Sequence, residues 1–243
     1  MIKAAIFDLD GTLVDIETIK EYLFGFLAVC GFHNDKALAV YKNAREAGGK
    51  NKFTLDNFKE KLKIRCAEEK MEFKENVWQK MVEKLGGEKE NLLIDGVSEV
   101  FRFLQDKKIP IYILTLGVPQ WQREKMRLSG VDKILLKNNE SLENCQNIKY
   151  TVNEDVKEGK IKEIKKILDE VGSKSGESLI FFNDKPDETK EIIKEFSQMK
   201  VFVRRENRDK RFFDNDYEEL SRMAQVARVS EKFDFLEKIE KLI

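Results

Sequence analysis

The sequence predicts an α/β fold of three layers, in which helices cover both faces of a parallel β-sheet and a helical segment is inserted near the N-terminus. Two observations predict this fold. After about residue 95, short apolar runs typical of strands alternate with amphipathic stretches typical of helices. Before that point, apolar residues recur at helical spacing from about residue 15 to residue 92. Strands that alternate with helices form right-handed βαβ units, which build a parallel sheet covered on both faces.

The first strand is predicted at residues 3–8, "KAAIFD", and helices are predicted to follow it. The first helical stripe is formed by Ile19, Tyr22, Leu23, Phe26 and Leu27. Similar stripes run through "LDNFKEKLKIRCAEEK" and "VWQKMVEKL", with breaks at Gly31, "AGGKNK" and "LGGEKEN". We therefore expect residues 1–14 and 93–243 to form a core domain, and residues 15–92 to form a separate helical cap domain.

The second half of the chain is predicted to alternate regularly between helices and strands. The predicted helices are "GVSEVFRFLQDKK", "PQWQREKMRLSG", "GKIKEIKKILDEVG" and "DETKEIIKEFSQM". The predicted strands are "IPIYILTL" at 109–116, "KILLK" at 133–137, "SLIFFND" at 178–184 and "KVFVRR" at 200–205. The last two stretches, "YEELSRMAQVARV" and "EKFDFLEKIEKLI", are expected to be closing helices.

Composition argues against several classes of protein. The chain has 45 basic and 45 acidic residues, so its overall charge attracts neither nucleic acid nor an anionic membrane. No apolar run reaches the roughly 20 residues that span a bilayer, and the N-terminus does not resemble a signal peptide. Cys30, Cys66 and Cys145 are widely spaced, which is typical of a reducing cytoplasm rather than of disulfides or a zinc site. The single histidine, His33, is expected at the surface.

The stretch "DLDGT" at residues 8–12 places two carboxylates, Asp8 and Asp10, at the end of the first strand. Residues two apart on an extended backbone project to the same side, and ligands collect at the carboxyl ends of parallel strands. Two close carboxylates repel each other unless a divalent cation or a proton neutralises one of them. Turn chemistry alone would explain Asp10 followed by glycine, but it does not explain Asp8. The pair therefore suits a nucleophile beside a general acid.

Other predicted strands end in polar residues that would meet this pair. Thr115 ends one strand, where its hydroxyl and the backbone N–H of the following "LG" could bind a phosphate, although β-propensity also favours threonine there. Another strand ends in Asn183 and Asp184, and Asp187 and Glu188 open the next helix, where capping alone would also favour acids. Together these oxygen donors suit Mg²⁺ bound near a phosphate.

A lysine is also expected at a phosphate site, and "EDVKEGKIKEIKK" offers five candidates. Lys160, just after Gly159 at the predicted start of a helix, is the first choice, and Lys157 is the second. The remaining lysines are expected on the solvated face of that helix.

The order of these motifs resembles the haloacid dehalogenase (HAD) superfamily, and the resemblance covers the whole chain. It implies a three-layer, Rossmann-like α/β core with an inserted α-helical cap domain. It implies that Asp8 attacks phosphorus to form an aspartyl-phosphate, and that Asp10 protonates the leaving oxygen and later deprotonates water. Mg²⁺ would be held by Asp8, the Asp10 carbonyl and Asp184, while Thr115 and Lys160 would bind the phosphoryl oxygens.

The sequence departs from the family pattern at two points. Asn183 stands where members often have aspartate or glycine, which leaves open the acid that completes the metal site. Leu116 follows Thr115 where asparagine is more usual, which removes a polar group near the substrate. The resemblance also leaves open whether Asp187 or Glu188 supports the metal.

The expected function is Mg²⁺-dependent hydrolysis of a small phosphorylated metabolite, with no nucleic-acid or membrane partner. Dehalogenases of the family attack carbon with the same first aspartate and need neither an acid at the second position nor a metal, so Asp10 and Asp184 argue against that reaction. A phosphomutase would use both aspartates and stays an alternative. A non-catalytic binding module is the other alternative. The basic stretch "RRENRDKR" at 204–211 is the feature that would support it, but this stretch is more typical of a solvated loop than of an RNA site.

Overall fold

A computed structural model describes residues 1–46, 53–87, 92–136, 140–151 and 155–243. Its strands are β1 Ala4–Phe7, β2 Ile111–Leu116, β3 Ile148–Thr151, β4 Leu179–Asn183, β5 Lys200–Arg204 and β6 Val226–Ser230. They form one six-stranded sheet in the order β3-β2-β1-β4-β5-β6, and every neighbouring pair is parallel. The predicted α/β fold with a Rossmann-like parallel sheet is therefore confirmed.

The helices surround this sheet, and a π-helix at Lys157–Ile161 leads directly into one of them. They are α1 Ile16–Val29, α2 Asn34–Glu46, α3 Leu55–Glu68, α4 Glu75–Gly87, α5 Val97–Asp106, α6 Pro119–Ser129, α7 Val131–Leu135, α8 Lys162–Glu170, α9 Pro186–Glu195, α10 Asp214–Ser221 and α11 Leu236–Glu240. Among the described residues, none of the helices is long and apolar enough to cross a membrane.

The strand predicted at residues 133–137 is wrong, because residues 131–135 form α7 and residue 137 lies outside the described part of the chain. A five-residue apolar run is too short for its pattern to separate a strand from a buried helical turn. Val131 and Leu135 lie one helical turn apart, and both are buried. The third strand is instead Ile148–Thr151, which pairs with β2.

The prediction of a closing helix at residues 217–229 is only half right. Helix α10 ends at Ser221, and the second half of the stretch enters β6, the edge strand that pairs with β5. Apolar and polar residues alternate from Ala227 to Ser230, a period of two that suits a strand. Pairing with β5 satisfies the backbone groups of this segment, so the tertiary structure decided its conformation.

Two apolar layers lie on the two faces of the sheet. Residues alternate along β1, so that Ala5 and Phe7 belong to one layer while Ala4 and Ile6 belong to the other. The first layer includes buried side chains of α5, α6, α7 and α11, and the second includes those of α8, α9 and α10. The β1, β4 and β5 strands are thereby buried on both faces, as a parallel sheet requires.

Helices α1 to α4 occupy the inserted segment, whose two ends pair with each other. The backbone N–H of Asp15 donates to the carbonyl of Leu92 at 2.8 Å, and that of Ile94 donates to the carbonyl of Leu13 at 3.0 Å. Buried side chains of the segment, such as Phe26 of α1, belong to the same apolar layer as Phe7. The division into a core domain and a cap domain stays a prediction.

Candidate active site

Three predicted site residues lie at one edge of the sheet, and all three are buried. The last residue of β1 pairs with Ile113 of β2 and Phe182 of β4, and Asp8 follows it directly. Thr115 and Asp184 lie two residues beyond Ile113 and Phe182, respectively. Side-by-side pairing of these strands therefore brings Asp8, Thr115 and Asp184 to neighbouring strand ends.

A tight turn after Asp8 forms one wall of the site. Gly11 has a φ of 78°, and its N–H donates to the carbonyl of Val14 at 2.9 Å. A Cβ atom at this position would lie 2.3 Å from Oδ2 of Asp184. Only glycine therefore fits, because both the left-handed conformation and the close approach of Asp184 exclude a side chain.

Asp8 forms an ion pair with the lysine that the sequence analysis placed first. Nζ of Lys160 lies 2.7 Å from Oδ1 of Asp8 and 2.5 Å from Oε2 of Glu188. Lys185 binds the other oxygen of Glu188 at 2.8 Å. Burial alone would lower the pKa of Lys160, but Asp8 and Glu188 outweigh it and raise that pKa. Burial alone would raise the pKa of Glu188, but the two lysines outweigh it and lower that pKa.

The two alternatives that the sequence left open take different positions. Lys157 is exposed, whereas Lys160 is buried against Asp8. Asp187 is exposed as well, and its carboxylate accepts from the backbone N–H of Glu188. Lys160 and Glu188 therefore face the site, and Lys157 and Asp187 do not.

Asp10 has a different partner, which sequence reasoning missed. Its carboxylate oxygens both accept from Nζ of Lys125, a residue in the middle of α6 that is only 1% exposed. Burial lowers the pKa of Lys125, and Asp10 opposes this effect. A signal was present in the sequence, because Lys125 falls in the buried stripe of α6 with Trp121, Gln122 and Met126. A lysine in an apolar stripe rarely stays buried unless it is paired.

Two carboxylate oxygens at the site are suited to a metal ion. Oδ2 of Asp8 and Oδ1 of Asp184 are buried, and neither has a hydrogen-bond partner among the described residues. Burial raises the pKa of Asp184, and the nearby charge of Asp8 raises it further, so a cation would stabilise the ionised pair. In the described part of the chain, no group of three or more histidine, cysteine, aspartate or glutamate residues could hold a metal. Two carboxylates, the Asp10 carbonyl and water are nevertheless a donor set that suits Mg²⁺.

One of the two backbone N–H groups in "LG" after Thr115, that of Gly117, already has a partner. It donates to the carbonyl of Thr151 at 2.8 Å, because pairing between β2 and β3 continues to the end of both strands. The carbonyl of Leu116 accepts from Nε2 of Gln122 at 2.6 Å. The N–H of Gly117 is therefore not free for a phosphate, and the expected phosphate-binding N–H in "LG" stays a prediction.

Asn183, the residue that departs from the family pattern, braces the loop after β4. Its Nδ2 donates to Oγ1 of Thr189 at 3.1 Å and to the carbonyl of Lys185 at 3.3 Å. Asp184 is the neighbour that packs against the Gly11 turn. The amide thus holds the turn that presents Asp184.

The basic stretch at residues 204–211 is partly exposed, and two of its arginines bind residues of the turn after Asp8 and the start of α1. Nη1 of Arg204 donates to the carbonyl of Gly11 at 2.6 Å. Glu206 accepts from both Arg204 and Arg208 at 3.0 Å, and Arg208 also lies 2.6 Å from Asp15, the residue that caps α1. These ion pairs leave fewer cations for a nucleic acid.

Comparison with known proteins gives one family and a set of similar folds. A sequence model of the haloacid dehalogenase-like hydrolases matches residues 2–190. No curated protein matches the chain in sequence.

Several solved structures resemble this one along their whole length. A haloacid dehalogenase-like hydrolase of Burkholderia xenovorans has 13% identity and a TM-score of 0.61, with 98% of this chain and 96% of that one covered. A Thermotoga maritima protein assigned as a beta-phosphoglucomutase has 17% identity and a TM-score of 0.58, with both chains fully covered. A HAD family hydrolase of Deinococcus radiodurans, solved with phosphate and sodium, has 15% identity and a TM-score of 0.53, with 99% and 96% covered. At these identities the likeness is one of fold.

Proposed function

The chain belongs to the haloacid dehalogenase-like hydrolases, and we propose that it is a phosphatase that hydrolyses the phosphate monoester of a small metabolite. The observation that carries this proposal is the environment of Asp8. One oxygen of its buried carboxylate binds Lys160, and the other has no hydrogen-bond partner among the described residues. A carboxylate held in this way has a lone pair that can attack an electrophile.

In the first step, an oxygen of Asp8 attacks phosphorus while the bond between phosphorus and the ester oxygen breaks. The proton of Asp10 passes to that leaving oxygen, so that an alcohol departs and an aspartyl-phosphate stays on Asp8. Lys160 and the hydroxyl of Thr115 would bind the phosphoryl oxygens, where negative charge builds up in the transition state.

In the second step, water attacks the phosphorus of the aspartyl-phosphate, and the bond to Asp8 breaks. Asp10, now a carboxylate, takes a proton from that water. The products are inorganic phosphate and the original pair of side chains. Asp10 suits both steps because its carboxylate is partly exposed toward the open side of the site, unlike that of Asp8.

The two unpartnered oxygens support the proposal that Mg²⁺ is the cofactor. Asp8 and Asp184 would hold the ion, together with the backbone carbonyl of Asp10. When bound, the ion would supply positive charge that offsets the repulsion between the carboxylates and the phosphate dianion. Glu188 would act indirectly, since both of its oxygens already accept from lysines.

The test is phosphate release from a panel of sugar phosphates, nucleotides and phosphorylated acids, with the purified chain in MgCl₂. We expect release from at least one ester, loss of release with EDTA, and recovery when Mg²⁺ is added in excess. The Asp8→Asn variant is the control for contaminating phosphatases. Release that persists in this variant or in EDTA would contradict the proposal.

A phosphomutase stays the alternative because it would use the same two aspartates. The panel separates the two, since a mutase returns an isomeric phosphate ester instead of inorganic phosphate. Product identification by ³¹P NMR on each sugar phosphate decides between these outcomes.

A further inference from the structure

The environment of Asp10 carries an inference that rests on the proposed function. Lys125 is almost fully buried in α6, and its ammonium group donates to both oxygens of the Asp10 carboxylate. The Asp10 side chain itself is 30% exposed, so the pair has one closed side and one open side. A buried ammonium is costly unless it is paired, which makes Lys125 an unusual residue to find on this face of a helix.

Helix α6 positions Lys125 through two anchors near its N-terminus. Nε2 of Gln122 donates to the carbonyl of Leu116, which ties the helix to the end of β2. The ring of Trp121, one turn before Lys125, lies 5.7 Å from Nζ and packs edge-on against Phe53 at 5.1 Å between ring centroids. The helix that carries Lys125 is thus tied to a strand end, and the ammonium group itself lies beside an aromatic ring.

The two aspartates have separate lysines, which gives Lys125 a role that Lys160 does not have. Lys160 binds Asp8 and Glu188, and Lys125 binds Asp10. An ammonium group donates hydrogen bonds and accepts none. The two contacts from Lys125 therefore fix the plane of the Asp10 carboxyl group, while the partial exposure of Asp10 leaves that group accessible from the side opposite Lys125.

We propose that Lys125 is a positioning residue that holds the Asp10 carboxyl in the orientation from which its proton reaches the leaving oxygen of the substrate. Lys125 does not touch the substrate in this proposal. Its effect passes through Asp10, so its loss should weaken the proton transfer and leave the attack by Asp8 largely intact.

The test compares two substrates in Lys125→Met, which keeps the length of the side chain and removes its charge and donors. With an alkyl phosphate, whose leaving oxygen needs a proton, we expect kcat to fall by at least about 10-fold. The loss should be smaller than the roughly 10²- to 10⁴-fold that a general acid typically contributes, because Asp10 itself is still present. With p-nitrophenyl phosphate, whose leaving group departs without protonation, the fall should be several-fold smaller. Met126→Leu, a buried neighbour on the same helix, controls for disturbed packing.

The double variant Asp10→Asn with Lys125→Met supplies the second readout. If Lys125 acts through Asp10, adding Lys125→Met to Asp10→Asn should not change the ratio of kcat on the alkyl phosphate to kcat on p-nitrophenyl phosphate. The reason is that the effects of two substitutions are not additive when the two residues are in contact and one acts through the other. Lys125→Gln keeps a hydrogen-bond donor, so its rate on the alkyl phosphate should be higher than that of Lys125→Met and lower than that of the wild type. Thermal unfolding shows which variants are folded. If Lys125→Met is not folded, Lys125→Gln takes its place in the comparison of the two substrates.

The outcomes separate this inference from the proposed function. Equal losses on the two substrates in a folded Lys125 variant, or fully additive losses in the double variant, would overturn the role of Lys125 alone. A wild-type chain that hydrolyses neither ester in MgCl₂ would overturn the proposed function and this inference with it.

Discussion

At the scale of single residues, the site places lysines beside its carboxylates, because carboxylates clustered without cations would repel one another. Among the described residues, the carboxylate oxygens that are buried without a partner belong to Asp8 and Asp184. The other two acids of the site, Asp10 and Glu188, are paired with lysines. The group contains four acids and three lysines, namely Asp8, Asp10, Asp184, Glu188, Lys125, Lys160 and Lys185. The group therefore has one excess negative charge, which repels a phosphate only weakly. A bound divalent cation would make the net charge of the group positive.

The first residue-scale prediction concerns Asp8→Asn. Turnover and covalent phosphate should both be lost, because an amide is a poor nucleophile and both carboxylate oxygens of the neighbouring Glu188 are already bound by lysines. Acid quenching with ³²P-labelled substrate measures the covalent phosphate, with the wild-type chain as the positive control. Labelled protein from Asp8→Asn would contradict the nucleophile assignment.

The second residue-scale prediction concerns Asp10→Asn. The variant keeps the backbone carbonyl of Asp10 but loses a proton donor, which is typically worth about 10²- to 10⁴-fold in rate. The loss should be smaller on p-nitrophenyl phosphate than on an alkyl phosphate, because p-nitrophenolate leaves without a proton. Steady-state kcat on both esters measures this difference. An equal loss on both would mean that Asp10 is not the acid.

At the scale of elements, the loop after β5 connects the site turn with the start of α1. Glu206 lies at its centre and is only 6% exposed. Burial alone would raise the pKa of Glu206, but hydrogen bonds from Arg208 and Arg204 outweigh it and lower that pKa from an ordinary value of 4.5 to about 2. Arg204 binds Gly11 and Arg208 binds Asp15, so the Glu206 carboxylate that pairs with both arginines helps to fix both ends of the segment from Gly11 to Asp15.

The element-scale prediction is a change in the pH dependence of stability in Glu206→Gln. Because the folded pKa is depressed, Glu206 stabilises the fold above about pH 4.5, and this contribution is lost as the pH falls toward 2. The free energy of unfolding of Glu206→Gln should therefore lie below that of the wild type at pH 6, and the two should converge near pH 2. Urea titrations across this range measure the gap. A gap that does not change with pH would contradict the assignment, and Glu240→Gln, at an exposed position, is the control.

At the scale of the whole molecule, a row of phenylalanines across the sheet supports the edge where the site lies. Phe7, Phe182 and Phe202 are paired in register on β1, β4 and β5. The ring of Phe182 stacks on that of Phe7 at 4.2 Å and on that of Phe202 at 4.9 Å. Asp8 and Asp184 follow Phe7 and Phe182 within two residues, so this packing also sets the spacing of the two carboxylates.

The whole-molecule prediction is that Phe182→Ala lowers the free energy of unfolding by about 3–5 kcal/mol, because it leaves a cavity between two stacked rings. Phe213, whose side chain is 71% exposed, offers a matched control, and Phe213→Ala should cost less than about 0.5 kcal/mol. Urea denaturation of both variants measures the difference. Similar costs for the two would contradict the structural role given to this row.

Much of the fold and part of the site could be predicted from local pattern. The apolar run before Asp8 and the turn at Gly11 predicted a strand end with two carboxylates, because strand periodicity and turn chemistry are local properties. The sequence made Lys160 only a first choice over Lys157 as the phosphate-binding lysine, because both lie near the start of one helix. The structure distinguishes them by burial, which depends on how that helix packs on the sheet.

The sequence by itself determined the parallel α/β sheet, the helical segment between its first two strands, and the acids at the strand ends, since each follows from spacing along the chain. Only the tertiary structure decided that residues 131–135 are helical, that Val226–Ser230 is the edge strand, and that Lys125 is the partner of Asp10. Lys125 and Asp10 are 115 residues apart, and their contact depends on how α6 packs beside the first turn. The local pattern indicates that Lys125 has a partner but not which acid it is, because the packing of distant elements decides which charges are brought together away from water.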